Sequence, residues 1–335
     1  MNSSTISIVI FLRVLIVFFI PTQSTDPCVH TSLPDRQSLR SDQITVLING
    51  YSESRIPLLC SISVRYAASP SVSAVLILWG NPSTPTQTLT QLSQNLSITY
   101  TSGAPISVIR QSSNSLNARF LPRSSIRTHA VLICDDDVEV DLKSIDFAFK
   151  IWVLNRDRLI GFFARSHDLD LSRRTWIYTV HPDKFSILLT KFMIMNADYL
   201  YKYSCMGGAA MDEMRKIVDR MHNCEDILMN FVVADETNAG PILVGATKAR
   251  DWGDARNDER RGLQEEERKR VREVGLSSRK GDHRKRRGEC LREFHRVLRR
   301  MPLRYSYGKV VDSVGEQGLC EKGGKLVFCD QQVGR

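Results

Sequence analysis

Ala130-Val131-Leu132-Ile133-Cys134-Asp135-Asp136-Asp137-Val138 joins a run of apolar, β-prone residues to three consecutive carboxylates. A continuous apolar run bounded by polar residues is the pattern of a strand buried on both faces. Three acids at its end repel one another unless something positive neutralises them. Hard divalent cations such as Mg2+ and Mn2+ answer that need, because they prefer carboxylate and water oxygens. The crevice beyond the carboxyl ends of strands in an open α/β sheet is also where nucleotides bind. A helix N-terminus, whose dipole favours acids, is the plainer reading of one aspartate. It accounts less well for three that follow a buried strand.

Working outward toward the N-terminus, strand-like and helix-like segments alternate. Residues 44–49 read as a first strand ending at Gly50, and 56–66 have helical spacing. Residues 74–79 form a second apolar run, and Gly80-Asn81-Pro82 turns the chain. A helix is expected over 85–96, with Pro85 near its first turn. Within it Asn95-Leu96-Ser97 is an N-glycosylation sequon at Asn95. Residues 106–110 suit a short third strand, and 115–120 a single helical turn that offers Arg119 to a phosphate or to the acids. Such alternation predicts βαβ units and a largely parallel α/β sheet. The nucleotide-binding half is placed at 43–155.

Downstream the pattern is more mixed. Strands are expected at 159–163, 175–180 and 185–189, and helices at 197–203 and 211–221. Met206, Met211, Met214 and Met221 are read as core filling rather than a binding groove. Asn223-Cys224-Glu225-Asp226 leads into an apolar helix over 227–233. Its two opening acids either complement the helix dipole or present a carboxylate able to act on a sugar.

Residues 250–289 carry 14 Lys and Arg against 10 Asp and Glu, a local charge of +4. Glu265-Glu266-Glu267 ahead of Arg268-Lys269-Arg270 suits a solvated helix with pairs four apart, and Gly275-Leu276-Ser277-Ser278 breaks it. RNA binding would want aromatic residues for base stacking. Trp252 is the single aromatic side chain here, so a charged loop is expected and nucleic acid is not. The second half is placed at 156–310, followed by a tail, 311–335, in which Cys320 and Cys329 flank a glycine-containing turn that a disulfide would staple.

The whole chain has 335 residues, 42% of them hydrophobic, so most of it should fold into one large or two ordinary domains. Its net charge of +9 suits an anionic ligand or a membrane surface. Residues 6–20 are apolar apart from Ser7 and Arg13. They are short for a spanning helix, which needs about 20 residues, and match the core of a signal peptide. Residues 1–24 are therefore read as a signal peptide or short signal anchor, and 25–42 as a stem carrying Cys28. Entry into the secretory pathway would allow some of the eight cysteines to pair. No zinc-ligand spacing, P-loop or GxSxG elbow is present.

Taken together, the Asp triplet, Asn223-Cys224-Glu225-Asp226, Arg287-Gly288-Glu289-Cys290 and Met301-Pro302-Leu303-Arg304-Tyr305-Ser306 resemble the exostosin-like glycosyltransferases of family 64. The plant branch, which includes glycosylinositol phosphorylceramide mannosyltransferases, is the most similar part of that family. The resemblance spans 43–308. It implies a GT-A fold, a UDP- or GDP-sugar donor, a glycan or glycolipid acceptor, a manganese ion and retention of configuration in the Golgi. Asp135 and Asp136 match acids near the nucleoside and sugar, and Asp137 the metal ligand. Asn114 and Arg119 match nucleotide contacts. Asp226 matches the catalytic acid, with Asn223 and Arg287 as donor or acceptor contacts beside it and Arg287 sharing in catalysis. Cys224 and Cys290 match a disulfide.

Two positions depart from the animal members, which carry an Arg shortly after the first strand and an Asn after the Trp of the second. Glu53 and Gly80 stand there. Either Arg55 substitutes in nucleoside recognition or the base is guanine. The alternative to an enzyme is a protein of the same fold that binds nucleotide-sugar without turnover.

Overall fold

The computed structural model describes residues 28, 34–99, 103–253, 282–312, 319–322 and 325–328. The expected signal segment, most of the charged loop and Cys329 lie outside the described residues.

Eleven residues of β1 (Arg40–Gly50) form an interior strand of the main sheet. β2 (Val72–Trp79), β3 (Ile106–Arg110) and β4 (Thr128–Asp135) extend it, with β2 and β4 both parallel to β1 and β3 parallel to β2. The crossovers are α1 (Ile56–Ala67) and α2 (Thr86–Thr99), with Pro57 in the first turn of α1. Side chains of a strand alternate between its faces. Val131 and Ile133 accordingly enter one hydrophobic core, and Leu132 and Cys134 another on the opposite side. All four are fully buried, which explains why their run shows no polar alternation.

β4 ends at Asp135, the first of the three carboxylates. Asp136 and Asp137 occupy a turn, and β5 (Val138–Val140) starts a separate ribbon. α3 (Leu142–Leu154) follows, capped by Asp141, whose side chain accepts from Ser144 N.

The second half begins with β6 (Ile160–Gly161), β7 (Ala164–Asp170), β8 (Thr175–Thr179), β9 (Lys184–Phe185) and β10 (Ile187–Leu188). β10, β7 and β8 make a three-stranded antiparallel sheet. β11 (Phe192–Asn196), which sequence reasoning missed, inserts antiparallel between β4 and β6. Three helices follow: α4 (Asp198–Cys205), α5 (Gly208–Met221) and α6 (Glu225–Thr237). β12 (Ile242–Leu243) closes the main sheet, giving the order β12-β6-β11-β4-β1-β2-β3, and β13 (Ala249–Asp251) pairs with β5. α7 (Asp282–Leu298) begins inside the stretch read as charged loop. Leu291 and Phe294 explain it: both are fully buried in the core shared with α5 and α6.

The expected α/β architecture, a largely parallel half joined to a mixed half, is the one observed. Met211 and Met214 are buried in its core, whereas Met206 is 48% exposed and does not fill core as expected. Disulfides join Cys28 to Cys205 and Cys224 to Cys290. Among the described residues, no helix is long and apolar enough to cross a membrane.

Candidate active site

Strand parity distributes the three aspartates. Asp135 shares the face of Val131 and Ile133, toward the core that contains α6, and it meets Arg119. The turn then swings Asp136 and Asp137 toward the entrance of α1, where Arg55 waits. Arg55 Nη1 donates to Asp136 Oδ1 at 2.8 Å and to Asp137 Oδ2 at 2.9 Å. Arg55 is a buried guanidinium between two buried carboxylates, held by the strong charge-assisted bonds it makes there.

Arg119 carries the site from one half of the chain to the other. Its Nη1 lies 3.2 Å from Asp135 Oδ1, 3.1 Å from Glu225 Oε1 and 2.9 Å from Thr190 Oγ1. Burial opposes its charge, yet Glu225 and Asp135 together raise its pKa. Thr190 also donates to Glu225.

The opening of α6 is set by backbone. His222 and Cys224 both have left-handed conformations, at φ of 46° and 78°. This sharp turn buries Asn223 between α5 and α6. Asn223 Oδ1 accepts from Cys224 N and from Arg287 Nη1, at 2.8 and 3.1 Å. Arg287 Nη2 donates to Asp226 Oδ2, and its guanidinium lies 4.6 Å from the ring centroid of Tyr178 on β8. The Cys224–Cys290 bridge ties α7, and hence Arg287, to the start of α6.

A sixth acid, Asp251 on β13, was invisible in sequence because it opens the charged stretch. It pairs with Lys191. Its Oδ1 accepts from Gly253 N at 3.1 Å. A Cβ on Gly253 would stand 2.4 Å from Asp137 Oδ2 and 3.4 Å from Asp251 Oδ1. Only glycine lets the backbone pass this close to Asp137 and Asp251.

The charges do not balance. Six carboxylates (Asp135, Asp136, Asp137, Asp251, Glu225 and Asp226) meet four cations (Arg55, Arg119, Lys191 and Arg287), an excess of two when all are ionised. Burial pushes the Asp137 carboxyl up to about 7, with Arg55 opposing that shift and the neighbouring acids adding to it. Burial also raises Asp136 and Glu225. Among the described residues no three His, Cys, Asp or Glu side chains form a ready-made metal cage. The residues fit a hard cation held by one or two carboxylates and completed by substrate oxygens and water, the usual mode for a magnesium-like ion.

Asp136 and Asp137 on Arg55, Asp135 with Glu225 on Arg119, and Asn223 with Asp226 on Arg287 thus form three largely buried clusters, linked through the chain neighbours Asp135-Asp136 and Glu225-Asp226. Asn114 joins none of them: it is exposed ahead of the 3-10 turn Leu116–Phe120. The buried amide nearby is Asn117, which donates to Arg215 O and Asp219 and holds α5 in place. Asn95 is exposed on α2, outside the site. Glu225, Thr190, Lys191, Asp251 and Gly253 were not singled out as site residues. Only Glu225 carried a signal, as an acid beside Asp226.

The end of a sheet strand and the opening of α6 thus share one guanidinium, Arg119, between Asp135 and Glu225. Residues 44–315 match the glycosyl transferase family 64 domain, and the chain belongs to that family of glycosyltransferases. It is 66% identical over 306 residues to Glycosyltransferase family protein 64 C3 of Arabidopsis thaliana, a match covering 91% of each chain. It is 40% identical over 145 residues to Exostosin-1 of Papio anubis, covering 43% of this chain and 19% of that one. Identity to the Exostosin-like-3 homolog of Caenorhabditis elegans is 30% over 266 residues, or 79% of this chain and 28% of that one. The match therefore takes in under a third of either exostosin's length. The crystal structure of GalNAc-T7 with UDP, GalNAc and Mn2+ overlaps 60% of this chain and 41% of that one, at a TM-score of 0.41 and 10% identity.

Proposed function

We propose that the protein moves a sugar, with retention of anomeric configuration, from a UDP- or GDP-sugar to a glycan or glycolipid acceptor in the secretory pathway. The observation that carries this reading is the sharing of Arg119 between Asp135 and Glu225. It ties the strand end that carries the Asp triplet to Glu225, the chain neighbour of Asp226.

Asp137, with Asp251 beside it, is the residue that would hold Mn2+ or a similar cation, which when bound neutralises a departing diphosphate. Arg119 and Arg287 supply fixed positive charge where negative charge develops. Transfer breaks the bond between the anomeric carbon and the diphosphate oxygen and forms one to an acceptor hydroxyl oxygen. The hydroxyl proton passes to the leaving diphosphate on the same face. Both oxygens of Asp226 are engaged, one by Ile227 N and one by Arg287, each at 2.7 Å. A carboxylate so restrained is better suited to stabilising an oxocarbenium-like centre than to attacking it, although retaining glycosidases use the second route. Asn223 holds Arg287 and so orients Asp226.

The GT-A-type arrangement, the disulfides, which persist in oxidising compartments, and the apolar N-terminal run support a Golgi setting, with membrane association through that run. The plant-branch resemblance puts inositol phosphorylceramide glycolipids first among acceptors to assay. The decisive experiment screens UDP- and GDP-sugars with Mn2+ by thermal shift, then assays transfer from whichever donor binds. Loss of transfer in Asp137→Asn and Asp226→Asn is expected, and full activity in either variant overturns the assignment. Donor binding without transfer to any acceptor in a broad panel would favour a binding protein.

A further inference from the structure

Arg55 has no place in the chemistry above, yet its position is over-determined. The chain leaves β1 at Gly50, makes a 3-10 turn over Glu53–Arg55 and enters α1 directly, so backbone delivers the side chain to the Asp136-Asp137 turn. Arg55 is 7% exposed, and one nitrogen, Nη1, bonds both carboxylates. The oxygen it takes on Asp137 is Oδ2, the same oxygen that lies close against Gly253. A cation binding Asp137 there meets an oxygen already held by a positive charge.

We propose that Arg55 is a resident counter-ion that competes with a divalent cation for Asp137, so that metal is held weakly until a nucleotide diphosphate accompanies it. This rests on the reading of Asp137 as the cation's ligand. Like charges sharing one oxygen repel, so metal binding must loosen the contact of Arg55 with Asp137. Asp136 gives the guanidinium a second anchor, so it can release Asp137 without leaving the site. A diphosphate adds anionic oxygens, and with them both cations are tolerated. Arg55 then acts as a positioning residue: it keeps two buried aspartates in place in the empty site and sets the order in which metal and donor load.

The test is Mn2+ binding, measured by titration calorimetry and by the paramagnetic resonance of free Mn2+, on the full chain without a sugar donor. Arg55→Met and Arg55→Gln should bind Mn2+ tenfold or more tightly than wild type in the absence of nucleotide. With whichever of UDP and GDP stabilises wild type, the difference should shrink to within about threefold. Gln keeps a hydrogen-bond donor for Asp136 and serves where Met does not fold. Binding equal to or weaker than wild type in the folded variants overturns the competition while leaving Asp137 as ligand. Failure of wild type to bind Mn2+ even with UDP or GDP removes Asp137 from that role, and the inference falls with it.

Discussion

Arg287 Nη2 lies 2.7 Å from Asp226 Oδ2, and each side chain of the pair is about 5% exposed or less. Two opposite charges so far from water depend on each other. Removing one leaves the other desolvated and uncompensated, which typically costs about 4 kcal/mol.

Arg287→Met should accordingly lower unfolding stability in urea by about 4 kcal/mol. Combining it with Asp226→Asn should recover part of that loss, because no bare charge is left. An additive double variant would show that the two residues are not energetically coupled. For catalysis, Asp226→Asn should abolish transfer and keep the donor's thermal shift, separating turnover from binding.

Metal loading should act through Asp137 and the space beside it. Mn2+ with the cognate nucleoside diphosphate should raise Tm of wild type, and a chelator should reverse the gain. Asp137→Asn should lose the Mn2+ part of that increment. Gly253→Ala should reduce it with the fold intact, since the added methyl would press on Asp137 Oδ2. An unchanged increment in Gly253→Ala would place the cation elsewhere.

The Cys224–Cys290 bridge closes a separation of 66 residues. On chain-entropy grounds a loop of that length contributes about 4 kcal/mol. Cys224→Ser/Cys290→Ser should lower stability by that order. Transfer should fall further than stability explains, because the bridge holds Arg287 against α6. Calorimetry alongside activity at a temperature where the variant remains folded separates the two effects.

His167 offers a stability change with a defined sign. It is 2% exposed, with Nδ1 2.7 Å from Ser186 Oγ and its ring stacked on Tyr305. Burial lowers its pKa from 6.5 to about 4, with Asp168 opposing and Lys184 and Arg304 assisting. Between those values the unfolded chain binds a proton that the folded chain refuses, so stability is full above pH 6.5 and falls as pH drops toward about 4. The shift corresponds to about 3 kcal/mol at most. His167→Gln should flatten that part of the stability profile, read from urea midpoints across the range.

The parallel half of the fold was legible because buried strands write themselves as apolar runs: 74–79 and 130–134 are unbroken, and 44–48 is interrupted only by Thr45. β11 was not, because Phe192-Met193-Ile194-Met195 sits between a lysine and a helix and has no turn signal of its own. α7 was hidden for a different reason. Its first two turns are almost wholly charged, and what makes them helical is the burial of Leu291 and Phe294 against distant elements. The site shows the same division. Acids gathered in one stretch were readable locally, whereas Lys191, Asp251 and Gly253 become site residues only because β5 and β13 pair. Arg55 was noticed as a cation, but only folding shows that it faces carboxylates.

Arg119 has a bearing on attempts to redesign the protein's donor preference. A single guanidinium shared between Asp135 and Glu225 gives that residue two duties. Substituting it to favour a different sugar nucleotide would also unsettle the helix that presents Asp226. Selectivity would be more safely altered from positions flanking the network, leaving its central cation untouched.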